Sequence, residues 1–206
     1  MKVIDKEILL FQERDFSIPI RDKTDYAKIV VIAAKIFLID YLPNVSKCNS
    51  KIRLVIDKMS RLFFYKNEKF YSISFPFNVE TEENVVKKIT SYSGRTLDSR
   101  SISALISILD DPDFQLNPSP IDFYSQSNDI DEDSFSLLEE IFRFEPAYIR
   151  YDNDLKNENG DIHPLHHLDL NYSSYGTFKI GLKNVPNQDY FQDLLDISTN
   201  CTFLAE

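Results

Sequence analysis

Only four glycines punctuate the 206 residues, and the chain has no tryptophan, two methionines, three histidines and two cysteines. So few glycines argue against phosphate loops, nucleophile elbows and dinucleotide fingerprints, where the backbone must approach a ligand without an intervening Cβ. Cys48 and Cys201 lie far apart and match no C-x-x-C spacing, so cysteine-based zinc sites are excluded and two reduced thiols are expected. Cationic surplus is missing as well: 23 Lys+Arg stand against 33 Asp+Glu, a formal net charge of -10. A free-standing nucleic-acid binder needs the opposite balance, so nucleic acid is expected only through a local patch, and another protein subunit is the favoured partner. No apolar run reaches the ~20 residues of a membrane-spanning helix. The most apolar stretch, residues 29–42, is interrupted by Lys35 and Asp40. The opening MKVIDKEILLFQERDF carries charges among its apolar positions and offers no small-residue cleavage site, so no signal peptide is read and a cytoplasmic protein without membrane contact is expected.

What is present is enough to fold. Hydrophobic residues make up 43% and aromatics 13%, which excludes wholesale disorder and suits a single domain over 1–206. Apolar spacing predicts a short amphipathic helix or an edge strand within 1–16, with the helix favoured, a central helix from Thr24 or Asp25 to about Tyr41, stopped by Pro43 and Asn44, and a further helix over 50–60, where the β-branched content would equally suit a strand. RLFFY and KFYSISF, separated by Lys66-Asn67-Glu68, read as a hairpin over 61–75. Thr81 with Asn84 three residues on resembles a helix start and places a helix over 81–92. Another helix begins at Asp98 or Ser99 and ends at Pro112. A long acidic loop carrying Pro112, Pro118 and Pro120 is expected over about 110–133, followed by helices over 134–144 and 187–197. The fold class is therefore α+β: a helical N-terminal half with one β-hairpin, and a C-terminal antiparallel three-stranded meander covered by helices.

That meander, residues 146–183, holds all three histidines and three of the four glycines. With period 2, Tyr148, Arg150 and Asp152 share a face, as do Leu165, His167, Asp169 and Asn171, then Thr177 and Lys179. Asn159-Gly160 is the strongest hairpin signal in the chain, and a two-residue turn there sets Asp152 opposite His167 and Arg150 opposite Asp169. A three-residue loop at 173–175 sets Asp169 opposite Lys179 and Asn171 opposite Thr177. Asp169 then lies between two cations. His167, Asp152 and Asp169 become the catalytic candidates, with the histidine oriented for acid-base work, while Arg150, Lys179, Asn171 and Tyr172 become the anion-binding candidates. A solvated ladder of charge pairs is the plainer reading of the same row. No metal and no other cofactor is expected: an extended chain separates His163 from His167 by roughly 13 Å, although His167 and Asp169 at i and i+2 are close enough to share an ion. His166 points to the apolar side. The acidic run Asp129, Asp131, Asp133 and Glu140 fits a calcium loop only superficially, because Ser134 stands where the loop needs glycine.

The block EPAYIRYDND…NENGDIHPLHHLDLNYSSYGTFKIGL resembles the closing segment of an uncharacterised bacterial family, domain of unknown function twenty-two ninety. Pro146 to Asp152, His163, Pro164, His167, Asp169, Asn171, Tyr172, Ser173, Gly176, Thr177, Lys179 and Gly181 carry the resemblance, under a fifth of the chain. It implies a bacterial protein of mobile or defence-type loci and assigns no reaction. The leading expectation is a cytoplasmic accessory subunit that binds a partner within a multi-protein system such as anti-phage defence. The alternatives are a nuclease-like phosphodiester-cleaving enzyme or toxin acting through the charged face of the meander, and a nucleotide-sensing module using that face without turnover.

Overall fold

The computed structural model describes residues 1–39, 50–67, 69–126 and 131–203. The class is α+β, but its dominant feature is one antiparallel sheet of seven strands, in the order β1-β2-β3-β4-β7-β8-β9. The strands are β1 (Lys2–Glu7), β2 (Ser50–Ile56), β3 (Arg61–Lys66), β4 (Lys69–Ser74), β7 (Ile149–Asn153), β8 (His166–Leu170) and β9 (Phe178–Gly181). A separate hairpin of β5 (Asn78–Glu82) and β6 (Val85–Thr90) stands beside it. The helices are α1 (Leu10–Phe16), α2 (Lys23–Leu38), α3 (Ser99–Asp110), α4 (Pro112–Leu116), α5 (Pro120–Gln126), α6 (Glu132–Arg143) and α7 (Gln188–Asp193).

The helical N-terminal half and the self-standing three-stranded meander are thereby corrected. Before α3 the described chain forms six strands and two helices. Residues 50–60 supply β2 rather than a helix. Their branched side chains alternate in burial, and β2 pairs with β1 on one side and β3 on the other. Part of the helix expected within 1–16 is β1, drawn into the sheet by pairs such as Ile4 with Leu54. The helix expected over 81–92 is the β5–β6 hairpin. Glu83 and Asn84, mistaken in sequence for a helix start, both have positive φ (46° and 65°) and link Glu82 to Val85 as a two-residue turn. The long loop over 110–133 is likewise corrected: Asp111 caps α4, and Pro112 and Pro120 open α4 and α5 at positions where a missing N–H costs nothing. The three C-terminal strands do form, but β7 pairs with β4 and makes them the far half of the large sheet.

The hairpin over 61–75 appears as β3 and β4, with Asn67 at φ 47° in its turn. The central helix is α2, which starts two residues earlier than its spacing suggested because the Asp22 carboxylate accepts hydrogen bonds from the N–H groups of Thr24 and Asp25. Its expected end at Tyr41 and the stop at Pro43 lie outside the described residues. Tyr26, Ala27, Val30, Val31, Ala33, Ala34 and Phe37 are fully buried because α2 packs between the sheet and the α3 and α6 layer. Each such Val or Phe is worth about 1.5–3 kcal/mol relative to exposure.

Both sheet faces are covered. One carries Ile52, Leu54, Leu62, Phe64, Tyr71 and Ile73 into the core under the helices. The other packs Val55, Phe63, Tyr65, Phe70, Tyr151 and Leu168 around Phe191 of α7. Burial on two faces is why β3 and β4 read as continuous apolar runs. Among the described residues no helix is long and apolar enough to cross a membrane.

Candidate functional site

Strand register builds the site. One transverse row of the helix-side face runs Ile52, Phe64, Tyr71, Arg150, Asp169, Lys179, each residue paired with the next. It is apolar from Ile52 to Tyr71 and charged from Arg150 to Lys179. The neighbouring row pairs Asp152 with His167 and His167 with Gly181. Both cross-strand predictions at Arg150–Asp169–Lys179 and Asp152–His167 match this register. The turn that suggested it differs: Asn159 bridges to His163, and Gly160 at φ 51° lies within that three-residue loop.

Asp169 is the hub. Its Oδ2 accepts from Arg150 Nη2 at 2.5 Å, while Oδ1 accepts from Lys179 Nζ at 2.6 Å and from the Thr177 hydroxyl at 2.7 Å. Burial pushes its carboxyl up, but the hydrogen bonds from Lys179 and Thr177 and the charge of Arg150 outweigh that and hold it below the usual carboxylate range. Arg150 also reaches Asp152 Oδ2 at 3.3 Å, and Lys69 pairs with Asp152 Oδ1 at 2.9 Å. Desolvation lowers the Arg150 guanidinium's pKa, yet the surrounding Tyr148, Asp169 and Asp152 leave it raised, so it stays charged.

His167 is fully buried. Its Nδ1 lies 2.7 Å from the Pro164 carbonyl oxygen, which can only accept, so Nδ1 carries the proton. Nε2 is then the lone-pair nitrogen and accepts from Lys179 Nζ at 3.1 Å. Gly181 makes this possible: a Cβ there would come within 2.9 Å of Pro164 Cγ and push the segment before β8 off the sheet. That same fold-back brings the His163 ring to 4.8 Å from His167, edge-on, which corrects the separation expected for an extended chain. His166 faces the other way and meets the Tyr151 hydroxyl at 2.9 Å.

The row is not a solvated ladder, since Asp169 and His167 are 0% exposed and Asp152 is 7%. Donor atoms of Asp152, His167 and Asp169 all lie within 4.8 Å of one another, a grouping that the expectation of no metal had not included. The remaining two candidates fall away from it. Asn171 ends β8 with φ 64° and is exposed, and Tyr172 packs partly buried against the helix-side core.

Arg150 and Asp152 also line a cleft of about 640 Å³. Ile18 and Pro19, from the link between α1 and α2, form one apolar side, with Phe16, Phe64 and Phe70 behind it. Lys66 and Lys69, at the end of the β3–β4 hairpin, form the cationic rim. At its base lie Tyr71 and Tyr148. Burial raises both phenols, that of Tyr71 well above its ordinary value, and the Tyr71 hydroxyl has no hydrogen-bond partner among the described residues. Sequence reasoning missed Lys66, Lys69 and Tyr71. They belong to a hairpin that was recognised, but its place beside β7 depends on a pairing across more than seventy residues. Compared with family models, curated proteins and solved structures, the chain matches none.

Proposed function

We propose that the protein is a nucleotide-sensing module: it binds, without turnover, a small anion with one apolar face in the cleft beside Arg150. The observation that carries this reading is the cleft's lining, which combines apolar Ile18 and Pro19 with the cations Lys66, Lys69 and Arg150, held in ion pairs by Glu13, Asp152 and Asp169. Its volume of about 640 Å³ falls in the range of small-molecule sites, roughly 300–1,000 Å³. Arg150 presents a planar donor fork held in place from behind by Asp169, a suitable anchor for a phosphate. Turnover through His167 as general base fits less well, because the ring is enclosed and both nitrogens are engaged.

Calorimetric titration with mononucleotides, nucleosides and inorganic phosphate tests the proposal. A mononucleotide should bind at one site, more tightly than either fragment. Lys66→Ala with Lys69→Ala should weaken it at least tenfold, since a charge-assisted contact is worth about 1.5–3 kcal/mol. Absence of nucleotide binding, or unchanged affinity in the double variant, refutes the reading.

The module also fits the role of cytoplasmic accessory subunit in a bacterial multi-protein system, anti-phage defence included. Leu10 and Phe11, 78% and 72% exposed on α1, supply an apolar contact surface. Cys201 is a free, exposed thiol, as suits a reducing compartment. A stoichiometric partner should co-purify from the native host and be lost on Leu10→Asp with Phe11→Asp; a clean monomer counts against this role.

A further inference from the structure

We infer that Asp152, His167 and Asp169 form a divalent-cation site whose position Lys179 holds while no ion is bound. Three side chains from two adjacent strands bring donor atoms within 4.8 Å of one another in a buried setting. His167 is prepared as a ligand. Its Nδ1 proton is committed to the Pro164 carbonyl, which leaves Nε2 as the lone-pair nitrogen, the arrangement typical of metal-bound histidines. Nε2 and Asp169 Oδ1 are 3.7 Å apart, close to the roughly 3.4 Å expected for two tetrahedral ligands each about 2.1 Å from one ion. Asp152 contributes a second carboxylate. Its Oδ1 is buried without a hydrogen bond and is met by Lys69 only as an ion pair.

A cation already bridges two of the three ligands. Lys179 Nζ lies 2.6 Å from Asp169 Oδ1 and 3.1 Å from His167 Nε2, so the fold supplies a positive charge between those two ligand atoms. Lys69, 60% exposed, pairs only with Asp152, so the cation that must leave Asp169 and His167 is Lys179. It projects from the edge strand β9, retains 27% exposure, and has a flexible stem that can turn outward, whereas Arg150 is held by two carboxylates. Outward rotation exposes the ligand atoms and removes one positive charge as the ion brings two. One imidazole with two carboxylates suits Zn²⁺ or Mn²⁺ better than Ca²⁺, which takes six to eight oxygens.

The test titrates the full chain, freed of metal by chelation, with Mn²⁺ followed by electron paramagnetic resonance and with Zn²⁺ followed by competition against a chromophoric chelator. Circular dichroism on each sample verifies folding. Wild type should bind one equivalent, and Lys179→Met should bind it at least tenfold more tightly, with a higher melting temperature when metal is added. His167→Asn in the Lys179→Met background should lose that site. The inference is overturned if Lys179→Met binds no better than wild type, or if the His167→Asn double variant retains the bound equivalent. Because the readout uses no nucleotide, failure here leaves the ligand reading of the cleft standing, and the converse also holds.

Discussion

Replacing Asp169 with asparagine tests whether the charged row is a buried network or a set of surface pairs. The substitution preserves shape and removes the charge that Arg150, Lys179 and Thr177 contact at 2.5, 2.6 and 2.7 Å. Arg150, with a side chain 20% exposed, keeps only one ion pair, the longer one to Asp152 at 3.3 Å, and Lys179 loses its closest carboxylate. Removing one partner of a buried pair leaves an uncompensated charge and costs about 3–5 kcal/mol, whereas an exposed cross-strand pair is worth about 0.2–1 kcal/mol. At about 2–4 °C per kcal/mol for a chain of this size, Asp169→Asn should lower the melting temperature by roughly 6–20 °C. Urea unfolding followed by circular dichroism should show the same loss with an unchanged slope. Arg150→Met in the asparagine background should cost much less than in wild type, because the orphaned cation is then gone, so the double-mutant cycle should be clearly non-additive. A loss below about 1 kcal/mol with additive singles would refute the network and restore the solvated ladder.

Acid should act on the same residue. The native pKa of Asp169 lies below its ordinary value: burial raises it, but the contacts of Lys179, Thr177 and Arg150 lower it further. The unfolded chain therefore takes up this proton first as the pH falls, so the stabilisation is complete above the unfolded value of about 4 and is lost as the pH drops toward and through the lower native value. Urea midpoints should fall below about pH 4 in wild type and less steeply in Asp169→Asn; parallel curves would count against the assignment. On the opposite face, Phe191→Ala should cost about 3–5 kcal/mol, since its ring meets Phe63 and Phe70 at 6.1 and 4.9 Å and anchors the short α7. A loss under about 1 kcal/mol in urea unfolding would mean that α7 does not seal that face.

Several features were legible because they are local. Side chains alternate along a strand whatever surrounds it, so Arg150, Asp152, His167, Asp169 and Lys179 could be assigned to one face and to opposed pairs from sequence alone. The helices at α3 and α6 were legible too, from apolar residues at three- and four-residue steps, with the Asp98 cap also read at α3; the Asp131 cap starts α6 two residues before the expected 134. Residues 50–60 and 81–92 failed for the complementary reason. Short branched segments satisfy either period, and the decision was made by a partner strand for β2 and by the left-handed Glu83-Asn84 turn for β5 and β6.

The sequence by itself determined the charged face, and its pairing was read correctly although the Asn159-Gly160 turn it was read from is not the one formed. Only the tertiary structure decided that the face is buried, because the β4–β7 pairing brings Tyr71 and Lys69 against Arg150 and Asp152. It likewise decided that His163 meets His167, because Gly181 lets Pro164 close over the strand. Both depend on contacts between segments distant along the chain, where the free energy comes from excluded water and paired charge and leaves no periodic trace in the residues themselves.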